Sequence, residues 1–518
     1  MRRDRSGPAA PIAVASLVGA LCSVIGVTGR SLGFDEGATV AIASQHGHAL
    51  WHGIAHDGGN MSGYYLLIHL LIGAFGDSEW VLRLPSVLAA AATAGLVAAL
   101  AQMLFDRRVA WVASLLCAVS LPIVYWGQTV RGYAPMLAFA TLGMLAFVGL
   151  VRAAERGGGR VWAWAALYVV AMGLGAYCSF VAVLVVPAQI VAALWRPRAW
   201  RPLLAALVVL ALSGIPLAIL AVRRGSGQLF WVPRPNRQIE DQVLQSLTGS
   251  GLESSFRATF VTIGGWVLTM LVVVALLVLA IRAWRAGPAT RPEPLTGWPV
   301  ALVLLWALLA PVLVFLAGLA GERLFEPRNL LASVPAVALA LAVAICDRRL
   351  PRWAAATGLV LAFVIRVVPL AAAYDVSPEP WQQVTAEVLA QTRPGDCVTF
   401  YPEDGRNPFR YYAARSAALS RAPRSVLPAV PWSLTTPYVE LYRTLTPARI
   451  ASLRSSCTRM WLIDSHQGQS SGPARSQRNL AEFHTLQARL ERVFGHAPVR
   501  TDGYASAIHV QLLPGRGG

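Results

Sequence analysis

Long apolar runs separated by short arginine-bearing gaps dominate the first 373 residues. A bilayer core takes about 20 mostly apolar residues per helix. That rule predicts spans near 11–29, 80–104, 109–126, 133–151, 161–177, 179–195, 203–222, 259–281, 298–319, 329–346 and 353–373, about eleven in all. The stretch "YYLLIHLLIGAF" at 64–75 is too short to cross alone and reads as interfacial or re-entrant. Runs such as "LAAAATAGLVAALAQ" have the small side chains that let helices pack closely. The pattern changes after 373. "EPWQQVTAEVLAQT", "TPARIASLRSS" and "SQRNLAEFHTLQARLERVF" have helical period, whereas "DCVTFY", "RMWLID" and "YASAIHVQLL" read as strands. The expected fold is mainly α: a polytopic membrane domain over 1–373, followed by a small α/β domain over 374–518.

Composition agrees. Of 518 residues, 56% are hydrophobic and only 14% charged, against about 25% charged in soluble domains. The net charge of +18 is carried by arginine, with no lysine. These arginines lie between apolar runs rather than along one face, which points to topogenic charge and not to nucleic acid. The basic head and apolar run at the N-terminus resemble a signal peptide, but the run is long enough to cross and many spans follow, so an uncleaved first span is expected. With the N-terminus in the cytoplasm, the inside loops are "DRR" (106–108), "RAAERGGGR" (152–160), "RPRAWR" (196–201), "RAWRAGPATR" (282–291) and "DRRLPR" (347–352), all basic. The first outer loop (30–79), "WGQTVRGY", "ERLFEPRN", the loop 223–258 and the tail then face outward, in a multi-pass protein of the plasma membrane. Cys22, Cys117, Cys178 and Cys346 lie in or beside spans and read as packing. Cys397 and Cys457 are the two cysteines of the tail, and an oxidising compartment makes a disulfide between them plausible.

An ionisable residue at a span end is a functional candidate. The first outer loop opens with "LGFDEG", which places Asp35 and Glu36 at the bilayer surface. Two other outer loops bring Arg131 and Arg328 to the same level. Arginines suit a lipid phosphate, and a carboxylate suits the proton of a hydroxyl, so the set fits transfer of a group from a lipid phosphate to an alcohol. Plainer readings stand beside this one. Acids favour any helix N-terminus, Arg131 could be a snorkelling residue, Arg328 could belong to a solvated network with Glu322, Arg323 and Glu326, Asp57 could be a loop acid, and the tyrosines could be interfacial anchors.

The ordered series "FDEG", an acid before "YYLLIHLL", "SEWVLRLPS", "QTVRGYAP" and "EPRNLLASVP" resembles the GT-C membrane glycosyltransferases, in particular the protein mannosyltransferase and aminoarabinose transferase-like set. The resemblance implies that Asp35 is the catalytic base with Glu36 beside it. It implies that Asp57 is a second acid, before Tyr64 and Tyr65, and that Arg131 and Arg328 hold the carrier phosphate. Gln128 and Tyr133 keep their places in the "QEARxYAL"-like segment, while its usual glutamate is Thr129. The implied reaction is a one-step inverting transfer from a polyprenyl phosphate sugar to an extracytoplasmic glycan, glycolipid or protein. Mannose is the first expectation, and arabinofuranose for a cell-wall glycan is the rival.

His46, His48, His52 and His56 also lie in the first outer loop. If 38–56 is one helix, His48, His52 and His56 share a face and with Asp57 could bind a divalent metal; a polar surface face is the plainer reading. His56 is also a candidate substrate contact. No nucleotide fingerprint is present, in keeping with a lipid-linked donor. The aromatics of "FRYYAAR" and "VPWSLTTPYVELY" could guide an acceptor or form the tail's core. A lipid or glycolipid transporter is the alternative of another class. It calls for ionisable residues inside spans and for internal repeats, and neither is expected from this sequence. A scaffold with a decayed site is the third reading, supported only by Thr129.

Overall fold

The computed structural model describes residues 9–225, 229, 231–252, 259–285, 297–428, 444–470, 472–495 and 508–515. Each of the eleven predicted stretches overlaps helix, although the first helix stops at Val24 and the stretches 109–126 and 203–222 are each broken in two, so the count of eleven crossings is not reached. Six helices are long and apolar enough to cross a membrane: Glu79–Leu104, Tyr133–Glu155, Val161–Cys178, Trp298–Leu319, Pro327–Ile345 and Arg352–Ala373. Two bent pairs, Arg107–Ala118 with Leu121–Gly127 and Pro197–Ser213 with Ile215–Arg224, raise that number to eight. Ala9–Val24, Phe180–Ala193 and Gly264–Val278 are apolar but shorter. A 16-residue helix rises about 24 Å, short of the roughly 30 Å core. Ser62–Phe75 forms the short apolar helix expected there.

The small-residue face packs as its composition predicts. A methyl group added at Gly19 would lie 3.3 Å from the backbone of Ala91, and Ala15, Ala94 and Ala118 form their own buried cluster. The bend of the pair Arg107–Gly127 has a local cause. Asp106 caps the first helix through the N–H groups of Arg108 and Val109, and Pro122 starts the second. The gap is held from outside by Arg366, whose guanidinium donates to the Leu116 and Thr248 carbonyls, both at 2.6 Å. Gly249 has φ +81, and a Cβ there would lie 2.8 Å from Ser120 Oγ and 3.0 Å from Arg366 Cζ. This corrects the expectation that no span contains an ionisable residue. Arg366 lies inside the helix Arg352–Ala373, fully buried, and Arg83 lies fully buried inside Glu79–Leu104.

The tail carries a four-stranded sheet of β1 (Cys397–Tyr401), β2 (Arg424–Leu427), β3 (Met460–Asp464) and β4 (His509–Leu513), in the order β2-β1-β3-β4. β1 is parallel to β2 and β3, and β4 is antiparallel to β3. β2 is not anticipated from sequence, because four residues at a sheet edge leave almost no alternation to read. The expected helices form as Trp381–Gln391, Pro447–Leu453 and Ala474–Phe494. Side chains alternate across a strand, and both faces are buried. Val398, Phe400, Trp461 and Ile463 join the core that runs on into the helical bundle. Cys397, Tyr401, Met460 and Leu462 join a second core with Phe483, Leu486 and Leu490. Cys397 and Cys457 are disulfide-bonded, and the other four cysteines are free.

"FRYYAAR" forms the joint between tail and bundle. Phe409, Tyr411 and Tyr412 are buried in the helix Arg406–Ala413. Tyr411 donates to the Asp77 carbonyl and Tyr412 to Glu79 Oε1. These aromatics are therefore packing, not an open acceptor surface. The segment "VPWSLTTPYVELY" lies outside the described residues.

Candidate active site

"LGFDEG" starts the helix Phe34–Ala43. Its two acids occupy the first turn, where the unsatisfied N–H groups favour negative charge. They then diverge. Glu36 turns inward as a capping residue: its Oε2 accepts from Gly33 N at 2.9 Å and its Oε1 from Val130 N at 2.7 Å. Arg83 stands 3.7 Å from Oε1. Asp35 turns toward the basic residues, with its side chain 40% exposed. Arg328 Nη1 is 3.4 Å and Arg131 Nη2 is 3.6 Å from the same oxygen, Asp35 Oδ2. Arg131 also donates to Thr39 Oγ1 at 3.2 Å and to the Asp35 carbonyl at 3.3 Å.

Three segments far apart in sequence thus converge on one carboxylate. The arginines are well covered, 9% and 15% exposed, while the acid between them stays open. Both guanidinium–carboxylate distances exceed the roughly 2.8 Å of a tight charge-assisted hydrogen bond. Tyr133 lies 6.0 Å from each guanidinium carbon, and the Trp231 ring lies 4.3 Å under Arg328. Glu326 is 3.9 Å from Arg328 Nε. Arg328 is therefore an aromatic-backed residue of this cluster that also keeps Glu326 beside it.

Asp57 is adjacent in chemistry though not in that cluster. It accepts from Tyr65 OH at 2.7 Å. Burial pushes its carboxyl up to about 6; the Arg131 charge and the Tyr65 hydrogen bond pull down, and the Asp35 charge adds to the rise. The segment "NMSG" before Tyr64 places Met61 at φ 59, and Asn60 Oδ1 accepts from Phe180 N. Tyr64 bonds Ser86 Oγ at 3.1 Å and is fully buried.

Not every expected site residue gathers here. Gln128 is buried and donates to the Ser23 and Ile25 carbonyls, which end the first helix. Thr129 donates to the Trp126 carbonyl. The region 38–56 is two helices, Phe34–Ala43 and Gly47–His56, instead of one. His48, His52 and His56 do share a face of the second, with ring centroids 6.3 and 6.1 Å apart. Among the described residues, no group of three His, Cys, Asp or Glu side chains could hold a metal ion.

The residues that sequence reasoning misses are those that hold the loop in place. Glu379 Oε2 accepts from Phe34 N at 2.6 Å and from Trp381 Nε1 at 3.0 Å. Leu32 N donates to Tyr412 OH at 2.6 Å, and Ser31 N to Ser377 Oγ at 3.1 Å. Arg83 donates to the Val27 and Arg30 carbonyls and pairs with Glu79 at 2.9 Å. Gly37 serves the same joint, since a Cβ there would meet Pro408 at 2.7 Å. "SEWVLRLPS" is legible only as part of the ordered series, and a polar residue in "SPEPW" gives no local sign of such partners.

Residues 62–223 match the family model described as dolichyl-phosphate-mannose-protein mannosyltransferase. No curated protein is matched by sequence. Among solved structures, ArnT from Cupriavidus metallidurans in the apo state superposes with TM-score 0.58 at 15% identity, covering 97% of this chain and 97% of that one. ArnT bound to undecaprenyl phosphate gives TM-score 0.52 at 15% identity over the same shares. The Archaeoglobus fulgidus oligosaccharyltransferase tethered with an acceptor peptide gives TM-score 0.52 at 12% identity, covering 97% of this chain and 74% of that one. This chain is thus a multi-pass membrane protein with the GT-C fold, similar over residues 62–223 to the mannosyltransferase family model.

Proposed function

We propose that this protein is an inverting glycosyltransferase that moves a sugar, mannose first, from a polyprenyl phosphate to a hydroxyl of an envelope glycan, glycolipid or protein at the outer membrane surface. The observation that carries the reading is the convergence of Arg131 and Arg328 on the open carboxylate of Asp35. The ArnT structure with undecaprenyl phosphate and the family match over 62–223 support a lipid-linked donor. The basic loops support the outward orientation.

In this mechanism the donor phosphate takes the two guanidinium groups, which suit an anion through forked donors. Asp35 is then released to accept the acceptor's proton as its oxygen attacks the anomeric carbon. The bond from that carbon to the phosphate oxygen breaks, and the lipid phosphate departs as an anion against Arg131 and Arg328. A leaving anion needs no strong acid. Glu36, committed to Gly33, Val130 and Arg83, acts as a positioning residue that fixes the first turn against the "QTVRGY" segment.

The test is sugar transfer in membranes containing wild type or Asp35→Asn, supplied with radiolabelled polyprenyl phosphate mannose. Label should enter product with the wild type and not with the variant. Equal transfer by both would sink the base assignment. Transfer by neither, followed by transfer from polyprenyl phosphate arabinose, would correct the sugar.

A further inference from the structure

Asp35 faces Arg131 and Arg328. Phe34, its neighbour in the first turn, meets a ledge of two tail residues, His466 and Glu379, that the mechanism above does not use. His466 lies two residues past the end of β3 and has φ +50, a left-handed conformation that is uncommon away from glycine. Its ring packs on Phe34, the neighbour of Asp35, with centroids 5.0 Å apart at 47°. Its Nε2 is 3.9 Å from Glu379 Oε1. The other oxygen of Glu379 holds Phe34 N, so the ledge is tied to the first turn that carries Asp35. His466 remains 43% exposed and Glu379 20%.

The position in the sheet adds to this. β1 is followed by β2 on one side, and the chain then crosses to β3 on the other. The carboxyl ends of β1 and β3 therefore flank a topological switch point, the usual ligand crevice of an open parallel sheet. His466 leaves from that end. The ledge offers an aromatic face, a ring nitrogen and a carboxylate within a few ångströms. That is the chemistry that holds a sugar ring, by apolar contact with its C–H face and by hydrogen bonds to its hydroxyls. An extended peptide would instead seek a strand edge, and this ledge lies at strand ends.

Resting on the reading above, we propose that Phe34, His466 and Glu379 form the acceptor subsite and that the acceptor group held there is a sugar ring. Binding is the readout, since it needs no turnover. The full-length protein in lipid nanodiscs, free of sugar-headed detergent, is titrated with manno-, arabino- and galactotriose and with a serine/threonine-rich peptide, followed by saturation-transfer NMR. His466→Gly removes the ring and relieves the left-handed backbone, so it folds; Glu379→Gln keeps an acceptor for Phe34 N and removes the charge. His484→Ala, on the exposed face of Ala474–Phe494, is the control. At least one trisaccharide should bind the wild type and His484→Ala alike, and His466→Gly should weaken it roughly fivefold or more, the scale of one lost contact. Glu379→Gln should weaken it less. Unchanged binding in His466→Gly overturns the subsite, as does peptide binding alone, or silence from every trisaccharide up to about 20 mM. A binding-competent but inactive Asp35→Asn separates this result from the base assignment, and an active Asp35→Asn would leave the subsite standing.

Discussion

Arg328 and Arg366 are both well-covered arginines beside apolar helices, and they do opposite things. Arg366 gives both terminal nitrogens to main-chain carbonyls, of Leu116 and Thr248, left open by the bent pair and by a helix end. Its surroundings are closed, and its neighbour Gly249 has no space for a side chain. Arg328 meets a carboxylate that is 40% exposed, at a distance too long for a tight bond, with an aromatic ring behind it. On the proposed reading, a covered arginine in this fold serves architecture when its partners are backbone, and chemistry when its partner is a second, open charge.

Substitutions should separate the two. The largest effect belongs to Asp35→Asn, with a loss of about 10²–10⁴-fold in kcat, the range for a general base, and an unchanged Tm. Arg328→Ala should follow, with about 10²–10³-fold lost, as for one donor to a developing anion; Arg328→Lys should recover part of it, because the point charge remains while the fork is gone. Arg366→Met should do the reverse. It leaves two buried carbonyls unpaired at about 1–3 kcal/mol each, so thermal unfolding should come earlier while transfer per folded molecule is kept. If Arg366→Met instead abolished transfer with an intact Tm, the contrast would collapse.

A smaller effect should appear in pH profiles. Asp57, pushed up to about 6, is above its ordinary value near 4. Its contribution to stability is therefore full below about pH 4 and lost as pH rises through 6. In kcat/KM it should give an acid limb near 6, absent in Asp57→Asn. Tyr65→Phe removes a donor to the carboxylate and should move that limb upward. The smallest effect is expected for His48→Ala on the exposed face of Gly47–His56, within about 0.5 kcal/mol in stability and none in transfer.

Much of the helical scaffold is legible from hydropathy, because each apolar run must satisfy its own backbone in helix. The exact spans are less so. The breaks at Val119–Ser120 and Gly214 fall inside apolar stretches, so hydropathy runs through them; Pro122 and Pro216 mark them locally, and Arg366 holds the first from outside. The basic-loop pattern sets Asp35, Arg131 and Arg328 on one side, which permits their convergence without fixing it. The split of Asp35 from Glu36 is not set by that pattern: adjacent residues on a helix point about 100° apart, and which one faces inward depends on Val130 and Arg83. Gln128 shows the converse case, a residue in a recognisable segment that serves the end of the first helix. Glu379, Tyr412 and His466 belong to contacts spanning more than 330 residues of chain, beyond any local pattern.

The alternation along β1 and β3 has a bearing on heredity as well as on packing. One face of that sheet shares its interior with the bundle, so residues 374–518 are not a cassette that can be traded between chains at the composition change. A lineage acquiring a new tail would also have to rewrite the surface of the helices beneath Phe400, Phe409 and Trp461, together with Gly37 and its neighbours. Sequence change is then best tolerated at strand-end residues such as His466, which lie outside that shared interior.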